Sequence, residues 1–262
     1  MTDGPTPVLA VSGLSVDYGG VRALDDASFT VAPGEIVGLI GPNGAGKTTC
    51  IDAITGFAVA RTGRVTLGDT EMCGLAPHRI ARAGLSRTFQ SLELFDDLSV
   101  ADNIAIGLAH RTPARAWTEV LGGWRQRAGH PEVVAALDHL GLADVADRRP
   151  DELSNGARHL VAIGRALVAR PVVVCLDEPA AGLDTTETVA LAEVVAGLVE
   201  LGTSVLLVDH DMDLVFGVCH RVVVLDFGQV IATGTPDEVR ADALVRQAYL
   251  GTHRPDPGEG RS

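Results

Sequence analysis

The order of apolar and polar positions divides the chain into a strand-rich opening and a longer alternation of strands and helices. Residues 9–18 alternate apolar and polar side chains, which is typical of a strand with one buried face. Shorter strands are predicted at 27–31 and 64–67, each next to a proline or glycine turn. This opening predicts a small antiparallel β layer.

Three later runs are apolar at nearly every position, which indicates strands that are buried on both faces of a parallel sheet. These runs are 36–40, 172–176 and 204–208. Two more strands are predicted at 221–225 and 230–233, on either side of a Phe-Gly turn. The strands therefore predict an α/β protein with a mostly parallel core sheet.

Helical patterns separate these strands, and the longest helical stretch is about 90–165. Within it, Ser99 can cap a helix whose apolar residues recur at helical spacing from Val100. We expect an inserted helical subdomain here, although 114–129, which holds both tryptophans, fits no single element. The predicted helices are 48–55, 77–82, 99–108, 131–140, 158–169, 185–201, 236–240 and 243–249.

Composition and charge exclude several classes of function. Of the 262 residues, 46% are hydrophobic and only 4% aromatic, so the core must be aliphatic. The net charge is −13, which argues against nucleic-acid partners, because these need a basic face. No apolar run approaches the ~20 residues that span a bilayer, and the polar start does not resemble a signal peptide. We therefore expect a cytoplasmic protein that reaches a membrane only through a partner.

A glycine-rich loop stands between the apolar run 36–40 and a predicted helix. It matches G-x-x-x-x-G-K-[ST], the pattern of a phosphate-binding loop, and a chance glycine turn would not need this strand and helix. Its glycines let backbone N–H groups approach a polyphosphate, and the helix N-terminus adds partial positive charge. Lys47 should reach the β- and γ-phosphates, and Thr48 should bind Mg²⁺. The loop comprises Gly41, Pro42, Asn43, Gly44, Ala45, Gly46, Lys47, Thr48 and Thr49.

Polar residues follow two of the predicted parallel strands. Asp177 and Glu178 come after the run 172–176, and His210 follows 204–208. In parallel sheets, ligands bind at the carboxyl ends of the strands, so these residues should meet the phosphate loop. Asp177 is expected to hold Mg²⁺, and Glu178 to polarise the water that attacks the γ-phosphate. His210 is a candidate γ-phosphate sensor.

Six motifs in a fixed order resemble the nucleotide-binding subunit of ATP-binding-cassette transporters. They are the phosphate loop, Gln90, Leu-Ser-Asn-Gly at 153–156, the strand with Asp177 and Glu178, Gly-Leu-Asp at 182–184, and His210. The resemblance covers about 8–251 and implies a single P-loop NTPase cassette. Its mostly parallel core sheet would carry the N-terminal antiparallel β layer and the inserted helical subdomain. Residues 252–262 are expected to be a disordered tail.

The resemblance also implies roles for five further residues, with ATP and Mg²⁺ as cofactors. Tyr18 would stack on adenine. Gln90 would touch Mg²⁺ and link to the membrane partner. Ser154 and Gly156 would contact the γ-phosphate of ATP held by the other protomer, and Asp184 would cross the dimer interface.

The signature segment departs from the family pattern at two positions. The family usually has L-S-G-G-Q or L-S-Y-G-Q, and here Asn155 and Ala157 replace the third and fifth residues. Ala157 removes a side chain that could bond across the dimer. The phosphate contact uses mainly the Ser154 hydroxyl, the Gly156 amide and the helix N-terminus, so we expect activity to survive.

Finer features resemble the ATP-binding subunits of branched-chain (hydrophobic) amino-acid importers. Close relatives of these subunits serve urea or amide import and lipopolysaccharide export. The implied partners are two transmembrane permease subunits, a second ATPase subunit and an extracytoplasmic substrate-binding protein, with this chain peripheral on the cytoplasmic membrane face. Leu92, Leu94 and Phe95 are candidates for the permease groove. The resembling segments are 87–90, 94–95, an insert near 107–130, 178–183, 210–212 and 247–251.

Two other classes of cassette protein stay open. A soluble ribosome-associated or DNA-repair ATPase typically has two cassettes in one chain, a long coiled coil or a basic surface. This chain has one phosphate loop, no heptad run and a strongly negative charge. A regulatory cassette that binds ATP without hydrolysing it would not need the intact Lys47, Asp177, Glu178 and His210.

Overall fold

The computed structural model describes residues 6–110 and 128–250, which form two β-sheets with helices packed around them. The strands are β1 (Leu9–Tyr18), β2 (Val21–Val31), β3 (Ile36–Ile40), β4 (Thr62–Leu67), β5 (Thr70–Glu71), β6 (Leu85–Arg87), β7 (Val173–Asp177), β8 (Ser204–Val208), β9 (Arg221–Asp226) and β10 (Gln229–Gly234). The helices are α1 (Lys47–Thr55), α2 (Pro77–Ala83), α3 (Val100–Ala105), α4 (Pro131–His139), α5 (Asn155–Leu167), α6 (Thr185–Gly197), α7 (Met212–Val218), α8 (Pro236–Ala241) and α9 (Ala243–Leu250). Short 3₁₀ turns lie at Ile106–His110, Ala143–Val145 and Pro150–Glu152.

The larger sheet has six strands in the order β10-β9-β3-β8-β7-β6. All neighbouring pairs are parallel except β10 with β9, which forms an antiparallel edge. The smaller sheet is antiparallel, in the order β2-β1-β4-β5. The predicted mostly parallel core and N-terminal antiparallel layer are therefore confirmed. The parallel arrangement brings the carboxyl ends of β3, β7 and β8 to one edge.

The core consists of two hydrophobic layers, one on each face of the larger sheet. In β3, Val37 and Leu39 face the antiparallel sheet and α1, while Ile36 and Ile40 face the layer that includes α3 to α7. This explains why β3 is apolar at every position, since both of its faces are covered. Burying each such side chain contributes about 1.5–3 kcal/mol. The helical stretch shares its layer with the sheet and packs directly on it.

Several predicted elements differ from the structure, and three of the differences have a clear cause. Strand β2 begins at Val21 rather than 27, because Val21, Arg22 and Leu24 pair with β1 in a hairpin that has no regular alternation of apolar and polar residues. The helix predicted to reach 201 ends at Gly197, and turns lead from there to Gly202, whose φ is +82°. The sequence pattern missed β6, since three residues are too few to show a period.

Some expectations lie outside the described residues or are not decided by them. Most of the ambiguous stretch 114–129 and the whole tail 252–262 lie outside the described part. The division into one domain at 8–251 with a subdomain at about 90–165 stays a prediction. Within 6–110 and 128–250, no helix combines the length and the hydrophobicity that crossing a membrane requires.

Candidate functional site

The phosphate loop connects β3 to α1, as predicted. Gly46 is the N-cap of α1 in a left-handed conformation, with φ +101°, and no side chain caps the helix. A Cβ at this position would lie 2.6 Å from the carbonyl oxygen of Ala23. Only glycine therefore allows both this turn and the close approach of β2. The uncapped N–H groups at the start of α1 remain available to an anion.

A cavity of about 220 Å³ lies over the loop, and residues 43–49, Ala23 and Glu178 line it. Lys47 extends along its own loop, where Nζ donates to the carbonyl oxygens of Gly41 at 2.7 Å and Pro42 at 3.2 Å. Burial lowers the pKa of Lys47, while the charges of Glu178 and Asp177 act in the opposite direction. The cavity thus combines a cation and uncapped amides, which are donors that suit a polyphosphate, with the Glu178 carboxylate on its wall.

Asp177 and Glu178 stand together at the carboxyl end of β7. The Asp177 carboxylate is buried, and its N–H donates to Thr88 Oγ1 at 3.3 Å. Glu178 has a left-handed backbone, with φ +48°, and its N–H donates to the carbonyl oxygen of Val208 at 2.7 Å. This turn directs Glu178 towards the phosphate cavity. Gln90 Nε2 donates to Glu178 Oε2 at 2.8 Å, so the structure brings these two predicted residues together.

Sequence reasoning assigned no role to Arg87. Its guanidinium bonds to one aspartate at the end of β7 and to another on α1. Its Nη2 lies 2.7 Å from Asp177 Oδ2, and its Nη1 lies 2.6 Å from Asp52 Oδ1 on α1. Burial lowers the pKa of Arg87, but the hydrogen bonds to Asp52 and Asp177 and the charges of these two aspartates together outweigh burial and raise it. The only signal in the sequence was a cation three residues before Gln90.

His210 follows β8 and is largely exposed, at 65% of its side chain. Its N–H donates to Asp209 Oδ1 at 2.8 Å, while Asp209 Oδ2 accepts from the N–H of Ala180 at 3.0 Å. Asp209 is only 1% exposed, and sequence reasoning did not single it out. This aspartate joins the loop carrying His210 to the loop that follows Glu178.

The signature segment lies at the start of α5, next to the start of α6. Ser154 Oγ caps α5 by accepting from the N–H of Ala157 at 3.2 Å. The N–H of Gly156 donates to Glu187 Oε1 at 2.9 Å, and Glu187 also forms a capping box with Asp184. Ser154, Gly156 and Asp184 are therefore neighbours within one chain. None of these three residues is among the described residues that line the phosphate cavity.

Tyr18 ends β1 and is half exposed, at the tip of the hairpin with β2. An exposed aromatic ring at a strand end can stack on a planar base. Nearby, Asp17 accepts from Arg22 Nε at 3.1 Å and also pairs with Arg61 Nε at 3.0 Å. These ion pairs hold the end of the strand that carries Tyr18.

Comparisons with known proteins agree with this architecture. The family model "ABC transporter" matches residues 24–181, and the model "Branched-chain amino acid ATP-binding cassette transporter" matches 229–254. The chain is 39% identical over 250 residues to the high-affinity branched-chain amino acid transport ATP-binding protein LivG of Salmonella typhimurium, covering 94% of this chain and 98% of that protein. It is 37% identical to BraF of Pseudomonas aeruginosa, covering 94% and 98%.

A more distant match is the lipopolysaccharide export system ATP-binding protein LptB of Escherichia coli, which is 35% identical over 93% of this chain and 97% of that protein. Among solved structures, the ADP conformation of MJ1267, an ATP-binding cassette of an ABC transporter, superimposes with a TM-score of 0.82. It is 30% identical, covering 94% of this chain and 99% of that one. The predicted family and fold class are confirmed. This chain belongs to the ATP-binding-cassette transporter family, as one of its ATP-hydrolysing subunits.

Proposed function

We propose that this chain drives an importer of branched-chain or other hydrophobic amino acids from the cytoplasmic face of the membrane. The observation that carries the proposal is the match of residues 229–254 to a segment model specific to branched-chain amino acid cassettes. The near full-length similarity to LivG and BraF supports the same substrate class. Lipopolysaccharide export is the second candidate, supported by the more distant match to LptB.

In this proposal, ATP lies with its phosphates over the phosphate loop and its adenine on Tyr18. Lys47 and the first amides of α1 hold the β- and γ-phosphates. Thr48, Gln90 and Asp177 hold Mg²⁺, which would neutralise developing charge on the phosphates. The buried carboxylate of Asp177, fixed through Oδ2 by Arg87, suits such a role. Oxygen ligands are those that Mg²⁺ prefers.

Glu178 is proposed to orient and activate the attacking water. Its position on the cavity wall and its hydrogen bond from Gln90 support this role, because both restrict where its carboxylate can point. His210 would contact the γ-phosphate, and its bond to the buried Asp209 would hold its loop close to Ala180. Because Gln90 donates a hydrogen bond to Glu178, a movement of Gln90 would also move the Glu178 carboxylate.

A second ATPase subunit is proposed to complete each site. Ser154 and Gly156 would meet the γ-phosphate held by the partner, and Asp184 would cross the interface. The position of the start of α5 supports this arrangement, since a helix N-terminus attracts an anion and Ser154 and Gly156 lie outside the phosphate cavity of their own chain. The partner is either a second copy or a paralogue.

Two permease subunits and an extracytoplasmic binding protein would complete the transporter. A groove of about 410 Å³ beside Arg87 and Phe89 is the proposed permease site. Phe95 lines this groove and is 47% exposed, whereas Leu94 packs against the hydrophobic layer of the sheet. Of these two residues, Phe95 is therefore the better candidate for contacting the permease. An exposed aromatic in a groove is a common anchor for a docked helix.

The test is co-purification from native membranes, followed by uptake into reconstituted vesicles. A tagged chain should bring two permease subunits with it, and the vesicles should accumulate leucine when ATP is supplied. Phe95→Asp should lose the permeases while still binding ATP. Phe227→Asp is the matched control, because this exposed aromatic lies on a turn outside the groove. A complex that moved urea or lipopolysaccharide and no hydrophobic amino acid would contradict the proposal.

A further inference from the structure

Residues 87–90 run along the carboxyl end of β7 and contact both of its acidic residues. Arg87 pairs in register with Cys175, and the N–H of Thr88 donates to the Cys175 carbonyl at 2.9 Å. Beyond that point, Arg87 holds Asp177 and Gln90 holds Glu178. One short segment therefore supplies a side-chain partner to each carboxylate of the site.

The Arg87 side chain connects strand β7 to helix α1. Asp177 is at the end of β7, and Asp52 lies on α1, the helix that begins in the phosphate loop. The guanidinium reaches both carboxylates, at 2.7 Å and 2.6 Å, and its side chain is only 8% exposed. Its planar, forked donors suit such a bridge, and the single ammonium group of a lysine cannot span it.

We propose that Arg87 is a positioning residue that holds the carboxylate of Asp177 in register with the phosphate-loop helix. The proposal rests on the metal role proposed above for Asp177. Arg87 itself contacts neither phosphate nor metal in this scheme. It fixes the orientation of Asp177, as the outer partners of metal-binding carboxylates do in other metal sites.

The opposite side of Arg87 faces the proposed permease groove. The guanidinium carbon lies 4.9 Å from the ring centre of Phe89 and 5.7 Å from that of Phe57. These two rings contact each other edge to face, with centres 5.5 Å apart, and Arg87 and both rings line the groove. A helix seated there would contact the rings that rest on Arg87. The Arg87 side chain therefore belongs both to the proposed permease groove and to the surroundings of the proposed metal site.

The test measures metal affinity directly, with Mn²⁺ as the probe. In a Glu178→Gln background, which keeps ATP intact, free Mn²⁺ is titrated by electron paramagnetic resonance against the protein–ATP complex. Arg87→Lys should weaken Mn²⁺ binding by about tenfold, as loss of an outer partner does, although the positive charge is kept. ATP affinity without metal should stay within about twofold, because the phosphate loop is unchanged.

Arg221→Lys is the matched control, because Arg221 also bridges a carboxylate with two donors, at 2.8 Å and 2.9 Å from Glu35. It lies away from the phosphate cavity and should leave Mn²⁺ affinity unchanged. Unchanged Mn²⁺ affinity in folded Arg87→Lys would overturn the proposal and leave the proposed function standing. If the complex with Arg87 intact binds Mn²⁺ no better than ATP alone does, both this proposal and the metal role proposed for Asp177 are overturned.

Asp52→Asn provides a second variant that leaves Arg87 and Asp177 in place. It removes the anchor at the far end of the bridge, and it should weaken Mn²⁺ binding in the same direction. If the bridge acts as a unit, the double variant should be no weaker than Arg87→Lys alone. A purely additive loss in the double variant would show that Arg87 does not act through this bridge. If Arg87→Lys does not fold, Asp52→Asn alone tests the bridge, and unchanged Mn²⁺ affinity in folded Asp52→Asn would then overturn the proposal.

Discussion

Two glycines of the phosphate loop allow a matched test of how β2 restricts the loop. Gly46 and Gly44 both have left-handed backbones, with φ of +101° and +82°. A Cβ at Gly46 would lie 2.6 Å from the Ala23 carbonyl oxygen, whereas a Cβ at Gly44 would have nothing within 4 Å. Gly46→Ala and Gly44→Ala should therefore have similar backbone strain, but only Gly46→Ala adds a steric overlap.

The magnitudes follow from these two contributions. A left-handed backbone costs an alanine about 1–2 kcal/mol, and this applies to both variants. The overlap with Ala23 adds about 1–3 kcal/mol to Gly46→Ala alone, because a backbone atom must move. The entropy that alanine removes from the unfolded chain is the same for both variants and cancels. Gly46→Ala should thus be less stable than Gly44→Ala by about 2 kcal/mol, or about 4–8 °C in melting temperature.

The measurement is urea unfolding followed by circular dichroism in nucleotide-free buffer, so that ligand binding does not contribute to stability. Thermal melts provide the difference in melting temperature between the two variants. Equal destabilisation of the two variants would refute the reasoning, because it would mean that the loop moves away from β2 without cost. A difference in the slope of the urea transition would show that the folded or unfolded state had changed instead.

Three further predictions concern catalysis, capping and pH. Glu178→Gln should keep ATP affinity and lower turnover by roughly a hundredfold; size exclusion with Mg-ATP should show dimers accumulating, and near-normal turnover would mean that another residue activates water. Ser154→Ala removes the cap of α5 and should cost about 1 kcal/mol in urea unfolding. Burial raises the pKa of Glu35, but the hydrogen bonds from Arg221 and from the Ala32 N–H, together with the charges of Arg221 and His220, lower it below its usual value. The stability that Glu35 contributes should therefore be fully present above its unfolded pKa and be lost as the pH drops through its folded pKa, and Arg221→Ala should reduce this loss in urea unfolding measured at several pH values.

The sequence predicted the elements that carry a strong pattern and missed those that depend on tertiary contacts. The apolar run 36–40 and the phosphate loop were predicted closely because periodicity and motif both report local structure. Strand β6 has three residues and exists because Leu85 pairs with Val173, far along the chain. Asp209 and Arg87 carry no local pattern either. Their importance arises from burial and from partners that only the folded chain brings close.

The unusual residues of the signature segment have a structural explanation within one chain. Asn155 Nδ2 donates to the carbonyl oxygen of Gly182 at 2.9 Å, a bond that the glycine common in the family could not make. Ala157 contributes its N–H to the Ser154 cap, a contact that needs no side chain. With the bond from Gly156 to Glu187, two hydrogen bonds tie the start of α5 to residues 182–187. That segment begins four residues after Glu178, so an anion arriving at Ser154 would act on the loop that carries the chain's own proposed catalytic carboxylate.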